Sequence, residues 1–195
     1  MRIIRIPDVR FGHTIYTNRA IDSTQTKAFE LARQGASDGV VVVTKTQSQG
    51  RGRESKFWIS EKGGLYFSII YRPKTKVPDP YALTRIIGTS IKRIIEKHVS
   101  EFMYINLQKR GTNDLLLNNR KLIGILVETE TYASDQQNVQ PDFYIIGIGV
   151  NVNQSHFPRH YESDATSLKI ETSKSFSRFS IMKEICYALG NLLSK

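Results

Sequence analysis

The stretch Tyr81–His98 constrains this chain more than any other, because Leu83, Ile86, Ile87, Ile91, Ile94 and Ile95 recur along it at helical spacing. A helix with so wide an apolar stripe needs a broad apolar surface to cover. Short β-branched runs supply it. Gly39–Thr44 and Leu65–Tyr71 read as buried strands, and further strand-like segments follow at Phe102–Leu107, Leu115–Leu117, Leu122–Thr129 and Phe143–Val150. Asn118-Asn119 suits a tight hairpin turn, since asparagine tolerates positive φ. Ser23–Gln34 reads as another helix, with Ser23 as N-cap, Ala28, Leu31 and Ala32 on one face, and Gly35 as its stop. A last amphipathic helix is lined by Met182, Ile185, Leu189 and Leu192. The order of elements predicts an α+β fold, a mixed β-sheet backed by helices. At 195 residues, a single domain covering 1–195 is expected.

Composition narrows the setting. The single cysteine, Cys186, cannot form an intramolecular disulfide and falls within the final amphipathic helix, so it reads as core in a reducing, cytoplasmic environment. The longest apolar runs, near Val40–Val43 and Tyr144–Ile146, are far too short to span a bilayer, and the N-terminus lacks the apolar stretch of a signal peptide. A net charge of +10 favours an anionic partner, whether nucleotide, acidic protein or nucleic acid. An RNA-binding module would interleave aromatics with its basic residues, and only Phe57 and Trp58 lie near the basic loop. No nucleic-acid or membrane partner is therefore expected.

Three segments carry chemistry. Gly50-Arg51-Gly52-Arg53 sits in the long polar loop Gln47–Gly64, where glycines permit close backbone approach and forked guanidinium groups clamp anionic oxygens. Lys121 stands at the mouth of an apolar strand beside the Asn118-Asn119 turn, placed to neutralise charge on a reacting phosphate or carboxylate, and Asp114 is a candidate Mg²⁺ ligand. Gly147-Ile-Gly149-Val-Asn151 ends a buried strand, where asparagine can read an adenine edge. Taken singly, each also fits a plainer description: an exposed basic loop, an ordinary hairpin, a strand end with a polar turn. His156 and His160 are four apart, but Pro158 between them argues against a helical metal pair.

Together and in order, these segments resemble biotin–protein ligases. The resemblance runs from about Asp22 to Asn153 and takes in Asp22-Ser-Thr-Gln25, Gln47-Ser-Gln-Gly-Arg-Gly-Arg53, Trp58-Ile-Ser-Glu-Lys-Gly-Gly-Leu-Tyr-Phe-Ser68, Asn113-Asp114, Lys121-Leu-Ile-Gly-Ile-Leu-Val-Glu128 and Gly147-Ile-Gly-Val-Asn151. It implies the catalytic-domain fold shared with lipoate ligases. It also implies a reaction in which biotin and MgATP give biotinyl-5′-AMP, followed by transfer to a lysine of a carboxyl-carrier domain. By the same resemblance Ser23, Thr24 and Gln47 bind the biotin head, with Gly124 beside it, and Gly50 and Arg51 belong to a loop ordering over biotin. Arg53 contacts the phosphate side, and Lys121 bridges the biotin carboxylate and the α-phosphate. Lys56, Trp58, Asn113 and Asn151 house ATP or the adenylate, and Asp114 holds Mg²⁺. A lipoate- or octanoate-handling relative on the same fold, or a non-catalytic biotin binder, are the alternatives. The resemblance admits a homodimer paired through sheet edges.

The chain departs from the family pattern in places. Arg110-Gly111-Thr112 stands where the family usually has Lys-Trp-Pro, removing a packing wedge and a rigid turn. Arg110 keeps a cation there, with Lys109 as a neighbouring substitute. Lys56 stands where a second arginine is common, keeping the charge and losing the fork. Only 21 residues precede Asp22, too few for a helix-turn-helix domain, and no segment resembles the small C-terminal β-domain, so a minimal catalytic form is expected, either natural or cut from a longer chain.

Overall fold

The computed structural model describes residues 1–75, 79–102, 104–130 and 141–194. Eight strands form one sheet: β1 (Arg2–Arg5), β2 (Thr14–Ile21), β3 (Val41–Gln47), β4 (Leu65–Tyr71), β5 (Leu107–Arg110), β6 (Asp114–Leu117), β7 (Arg120–Thr129) and β8 (Tyr144–Val150), in spatial order β1-β2-β3-β4-β8-β7-β6-β5. Every neighbouring pair is antiparallel except β2 and β3, which run parallel because helix α1 (Thr24–Arg33) crosses between them. Helix α2 (Pro80–Val99) carries the chain from β4 to the far edge at β5, and the strands β5 to β8 then meander back to β4.

The expected α+β architecture is what forms, with helices on both faces. Leu83, Ile87, Ile91 and Ile95 of α2 pack with Ile181, Met182, Ile185 and Leu189 of α4 (Arg178–Leu192) against Phe67, Ile69, Ile123, Ile125, Ile146 and Ile148. On the other face Ala28, Phe29, Leu31 and Ala32 of α1 cover Val42, Ile70, Ile145 and Phe143. The expected caps are present. The Ser23 side chain accepts from Gln25 N at the head of α1, and Asn118 and Asn119 make the hairpin turn at φ 49° and 65°.

Three expectations needed correction. Among the described residues of Phe102–Leu107 only Leu107 lies in a strand; Phe102 and Ile105 are apolar because they pack against the main core from a turn. Ile86 and Leu192 are each 38% exposed rather than part of the buried stripes of α2 and α4. Strands β1 and β2 and the short helix α3 (Leu168–Thr172) were not foreseen, since none of them shows a clean apolar period.

Candidate active site

Alternation along the strands builds the site. On β3, β4, β7 and β8 the residues sharing a face with Val42, Ile70 and Ile145 continue as Thr44, Ser68, Tyr66, Gly147, Gly149 and Gly124. The first set lies under α1. Of the second set, Tyr66, Ser68, Gly124, Gly147 and Gly149 floor a cleft of about 590 Å³. Glycine is demanded here by close approach. A Cβ on Gly124 or Gly149, which are cross-strand partners, would lie 2.5 Å from the Trp58 ring, and one on Gly147 would lie 2.5 Å from Gln25 Oε1.

The end of the cleft at α1 is a connected polar set. Gln47 Oε1 accepts from Thr24 N at 2.7 Å and from Thr24 Oγ1 at 3.1 Å, and Gln47 Nε2 donates to Ser60 Oγ at 2.7 Å. Buried Ser68 Oγ lies 2.9 Å from both Thr24 Oγ1 and Gln25 Oε1, and Gln25 Nε2 donates to Ile145 O. Side chains held this way are pre-oriented for a small polar ligand head.

At the other end the cleft turns cationic. Lys121 Nζ is 3.0 Å from Asp114 Oδ1 and 5.2 Å above the Trp58 ring. Arg110 Nη2 lies 3.3 Å from Asp114 Oδ2, and Asn113 Nδ2 donates to Asp114 Oδ1. Of the two adjacent basic residues, Arg110 is thus the one that faces this site. Lys109, one residue back on β5, belongs to the opposite face and donates to Arg85 O and Thr89 Oγ1 of α2, so it is not a substitute. Burial there, with Arg85 and Lys92 nearby, pulls the Lys109 ammonium below the usual lysine range. Asn151 Nδ2 donates to Lys121 O, and Gln154 Nε2 bonds Asn151 Oδ1 and Tyr66 Oη.

The loop from Ser48 to Gly64 forms one wall. It closes on itself through Trp58 N to Gly50 O and an isolated bridge between Arg51 and Phe57. Arg51 Nη2 reaches Glu128 Oε1 at 2.6 Å, and Arg53 Nη1 reaches Thr112 Oγ1 at 3.5 Å. The Arg51–Glu128 ion pair is partly exposed and worth about 0–1 kcal/mol, and the Arg53 contact is long and exposed, so the loop is lightly latched. Lys56 stays at the rim, 3.6 Å from Glu54. Five cations, Arg51, Arg53, Lys56, Arg110 and Lys121, line the cleft against the carboxylates Glu54, Asp114 and Asp164.

The structure therefore brings together Ser23, Thr24, Gln47, Arg51, Arg53, Lys56, Trp58, Asn113, Asp114, Lys121, Gly124 and Asn151. Gly50 stands apart: it lies behind the loop, where a Cβ would meet Trp58 O at 2.3 Å, and shapes the loop rather than the cleft. Gln25, Ser68, Tyr66 and Asp164 also line the cleft and had no role from sequence. Cys186 is core, as read, with burial pushing its thiol up to about 12. No group of three or more His, Cys, Asp or Glu positioned for a metal ion occurs among the described residues.

A model of the biotin/lipoate A/B protein ligase family matches residues 17–151. The chain belongs to this family. Among curated proteins it is 34% identical over 189 residues to the bifunctional ligase/repressor BirA of Bacillus spizizenii, a match covering 91% of this chain and 55% of that protein. It is 30% identical over 151 residues to the biotin–[acetyl-CoA-carboxylase] ligase of Mycobacterium tuberculosis, covering 75% and 51%. The chain thus spans about half the length of these curated relatives. Among solved structures, the Aquifex aeolicus biotin protein ligase in complex with biotin and ATP superposes with a TM-score of 0.77 at 29% identity, over 93% of this chain and 70% of that one. The mixed sheet with its helices is the family's catalytic-domain fold. No helix among the described residues is long and apolar enough to cross a membrane.

Proposed function

We propose that residues 1–195 form a single cytoplasmic catalytic domain that joins biotin to ATP as biotinyl-5′-AMP and passes the biotinyl group to a lysine of a carboxyl-carrier domain. The observation that carries this reading is the position of Lys121. Its ammonium stands over Trp58 on the glycine floor, in the same cleft as the polar set at Ser23, Thr24 and Gln47 and the cationic loop. Relatives include a biotin–[acetyl-CoA-carboxylase] ligase, and a related biotin protein ligase structure holds both biotin and ATP.

In the first step a biotin carboxylate oxygen attacks the α-phosphorus of ATP, the bond to the bridging oxygen breaks, and pyrophosphate leaves. The polar set holds the head of biotin. Lys121 exchanges Asp114 for the converging carboxylate and α-phosphate, where negative charge develops and a pre-placed cation lowers the barrier most. Arg53 and Arg110 offset the remaining phosphate charge, with Lys56 at the rim, and Asn113 and Asn151 flank the nucleotide. The indole of Trp58 has a buried N–H without a protein acceptor among the described residues, which suits it to pack against the adenylate and donate to it. Asp114 fits Mg²⁺ as a hard oxygen donor to an ion held chiefly by ATP phosphates, and that ion would neutralise the triphosphate.

In the second step the neutral carrier amine attacks the acyl carbon and AMP departs with the phosphate oxygen, the amine proton passing to solvent. A closed loop keeps water from the anhydride until the amine arrives. The test is pyrophosphate release from MgATP, measured with biotin and separately with lipoate. Biotin-dependent release supports the reading; release with lipoate alone moves the chain to lipoate chemistry, and release with neither removes the ligase reading.

A further inference from the structure

Lys121 sits where the sheet runs out of partners. Strand β8 pairs with β7 only from Ile123 onward, yet Lys121 has both backbone groups bonded. Its N–H donates to Asp164 O at 2.7 Å, its C=O accepts from Thr166 N at 3.0 Å, and Ala165 makes a parallel bridge to it. The segment Asp164–Lys169 thus replaces β8 along this end of β7. It continues along the next site residue as well, with Leu168 N donating to Asn151 O and Lys169 N to Val152 O. This strap lies beyond the 17–151 stretch that the family model matches.

One carboxylate ties the strap to the hairpin. Glu171 of α3 has a side chain only 8% exposed. Its Oε1 accepts from Arg120 Nη2 at 2.6 Å and from buried Thr166 Oγ1 at 2.5 Å, and its Oε2 accepts from Asn118 Nδ2 at 2.7 Å. Asn118 belongs to the turn before Lys121, Arg120 adjoins it in the chain, and Thr166 is its partner across the strap. Glu171 therefore fixes Lys121 from three sides without touching it. Hydrogen bonds to a buried carboxylate are stronger than neutral ones, and leaving their donors unpaired is costly.

We infer that Glu171 is a positioning residue for Lys121, setting the height of its ammonium over Trp58 and Asp114. The inference rests on the proposed adenylation, and an error of about 1 Å in such a group costs about 100-fold in rate. The test compares the full chain with E171A, E171Q and K121A. Under single-turnover conditions with biotin and MgATP, E171A forms biotinyl-AMP about 10- to 100-fold more slowly. Its affinity for biotin stays near that of the wild type, because the polar set at Ser23, Thr24 and Gln47 is untouched. E171Q keeps an acceptor and recovers part of the rate. Circular dichroism checks each fold, and E171Q replaces E171A if the latter does not fold.

Trp58 is the single tryptophan of the chain and reports on the Lys121 ammonium independently of activity. E171A shifts its emission, whereas replacing Glu171 in a K121A background does not. An adenylation rate within twofold of wild type, a loss of biotin affinity matching the loss of rate, or the same emission shift in both backgrounds overturns the inference. If the wild type forms no adenylate, the proposed function fails and the emission experiment alone decides the role of Glu171.

Discussion

The two faces of β7 and β8 are made from alternate residues of the same two strands and do opposite work. One face presents Ile123, Ile125, Ile146 and Ile148, each at most 2% exposed, to α2 and α4. The other presents Gly124, Gly147 and Gly149, with no side chain at all, to Trp58 and Gln25. Buried apolar area stabilises the fold at about 25 cal/mol per Å², and the isoleucine face supplies much of it. The glycine face gives that stabilisation up to let an indole lie directly on the backbone. Stability and chemistry are thus separated by a single step of the strand pleat, about 3.3 Å along the chain.

That separation can be broken from either side. The largest effect falls on the isoleucine face: Ile146→Ala costs about 2–5 kcal/mol of stability, lowering the unfolding midpoint by about 5–20 °C, while adenylation per folded molecule is retained. Thermal unfolding beside an activity assay well below the midpoint checks this. Next is Lys121→Ala, expected to slow adenylation by about 100- to 1,000-fold with biotin still bound and the unfolding midpoint little changed. Near-normal pyrophosphate release would remove the role given to Lys121. Gly149→Ala tests the floor itself. Its methyl must displace the Trp58 ring, which already lies 2.5 Å away, so adenylation falls about tenfold and Trp58 emission shifts.

Smaller effects sharpen the contrast. Replacing Arg51 or Arg53 by alanine loosens a lightly latched loop, and biotinyl-AMP escapes into solution before transfer. Chromatography of the released intermediate measures it, and unchanged retention would count against loop closure. Smallest is a pH effect centred on the isoleucine side, where Cys186 packs in the main core, with Tyr66 of the cleft face adding to it. Its folded pKa, raised by burial from 9.0 to about 12, favours the protonated thiol in the native state. Its stabilising contribution is therefore complete below pH 9 and is lost as pH rises toward 12. Tyr66, Tyr71 and Tyr144, raised mainly by burial, act in the same direction. Comparing wild type with Cys186→Ala across that range isolates the thiol, and parallel stability curves would contradict it.

The isoleucine face was legible in the sequence and the glycine face only partly so. Apolar residues announce burial through a helical period, as in α2, or a nearly unbroken run, as in β4, whereas the glycines of β8 announce only a close approach without saying to what. The residues given individual site roles by the resemblance line one cleft, apart from Gly50 behind the loop. What the sequence hid were partnerships across long chain distances. Ser68 meets Gln25 from 43 residues away, and Arg120 meets Glu171 from 51. The choice between Lys109 and Arg110 turned on strand parity, fixed by where β5 begins, and the expected strand had been placed too early in the chain. Strand β2 escaped notice because tertiary pairing between β1 and β3 defines it, not an alternation of its own.

The most direct test of the central claim is intact-mass analysis of a biotin carboxyl-carrier domain after incubation with this chain, biotin and MgATP, run in parallel with Lys121→Ala. The account predicts one biotinyl group on one carrier lysine with the wild-type chain and almost none with the variant. A carrier left unmodified by the wild type, or modified equally by both, would contradict it.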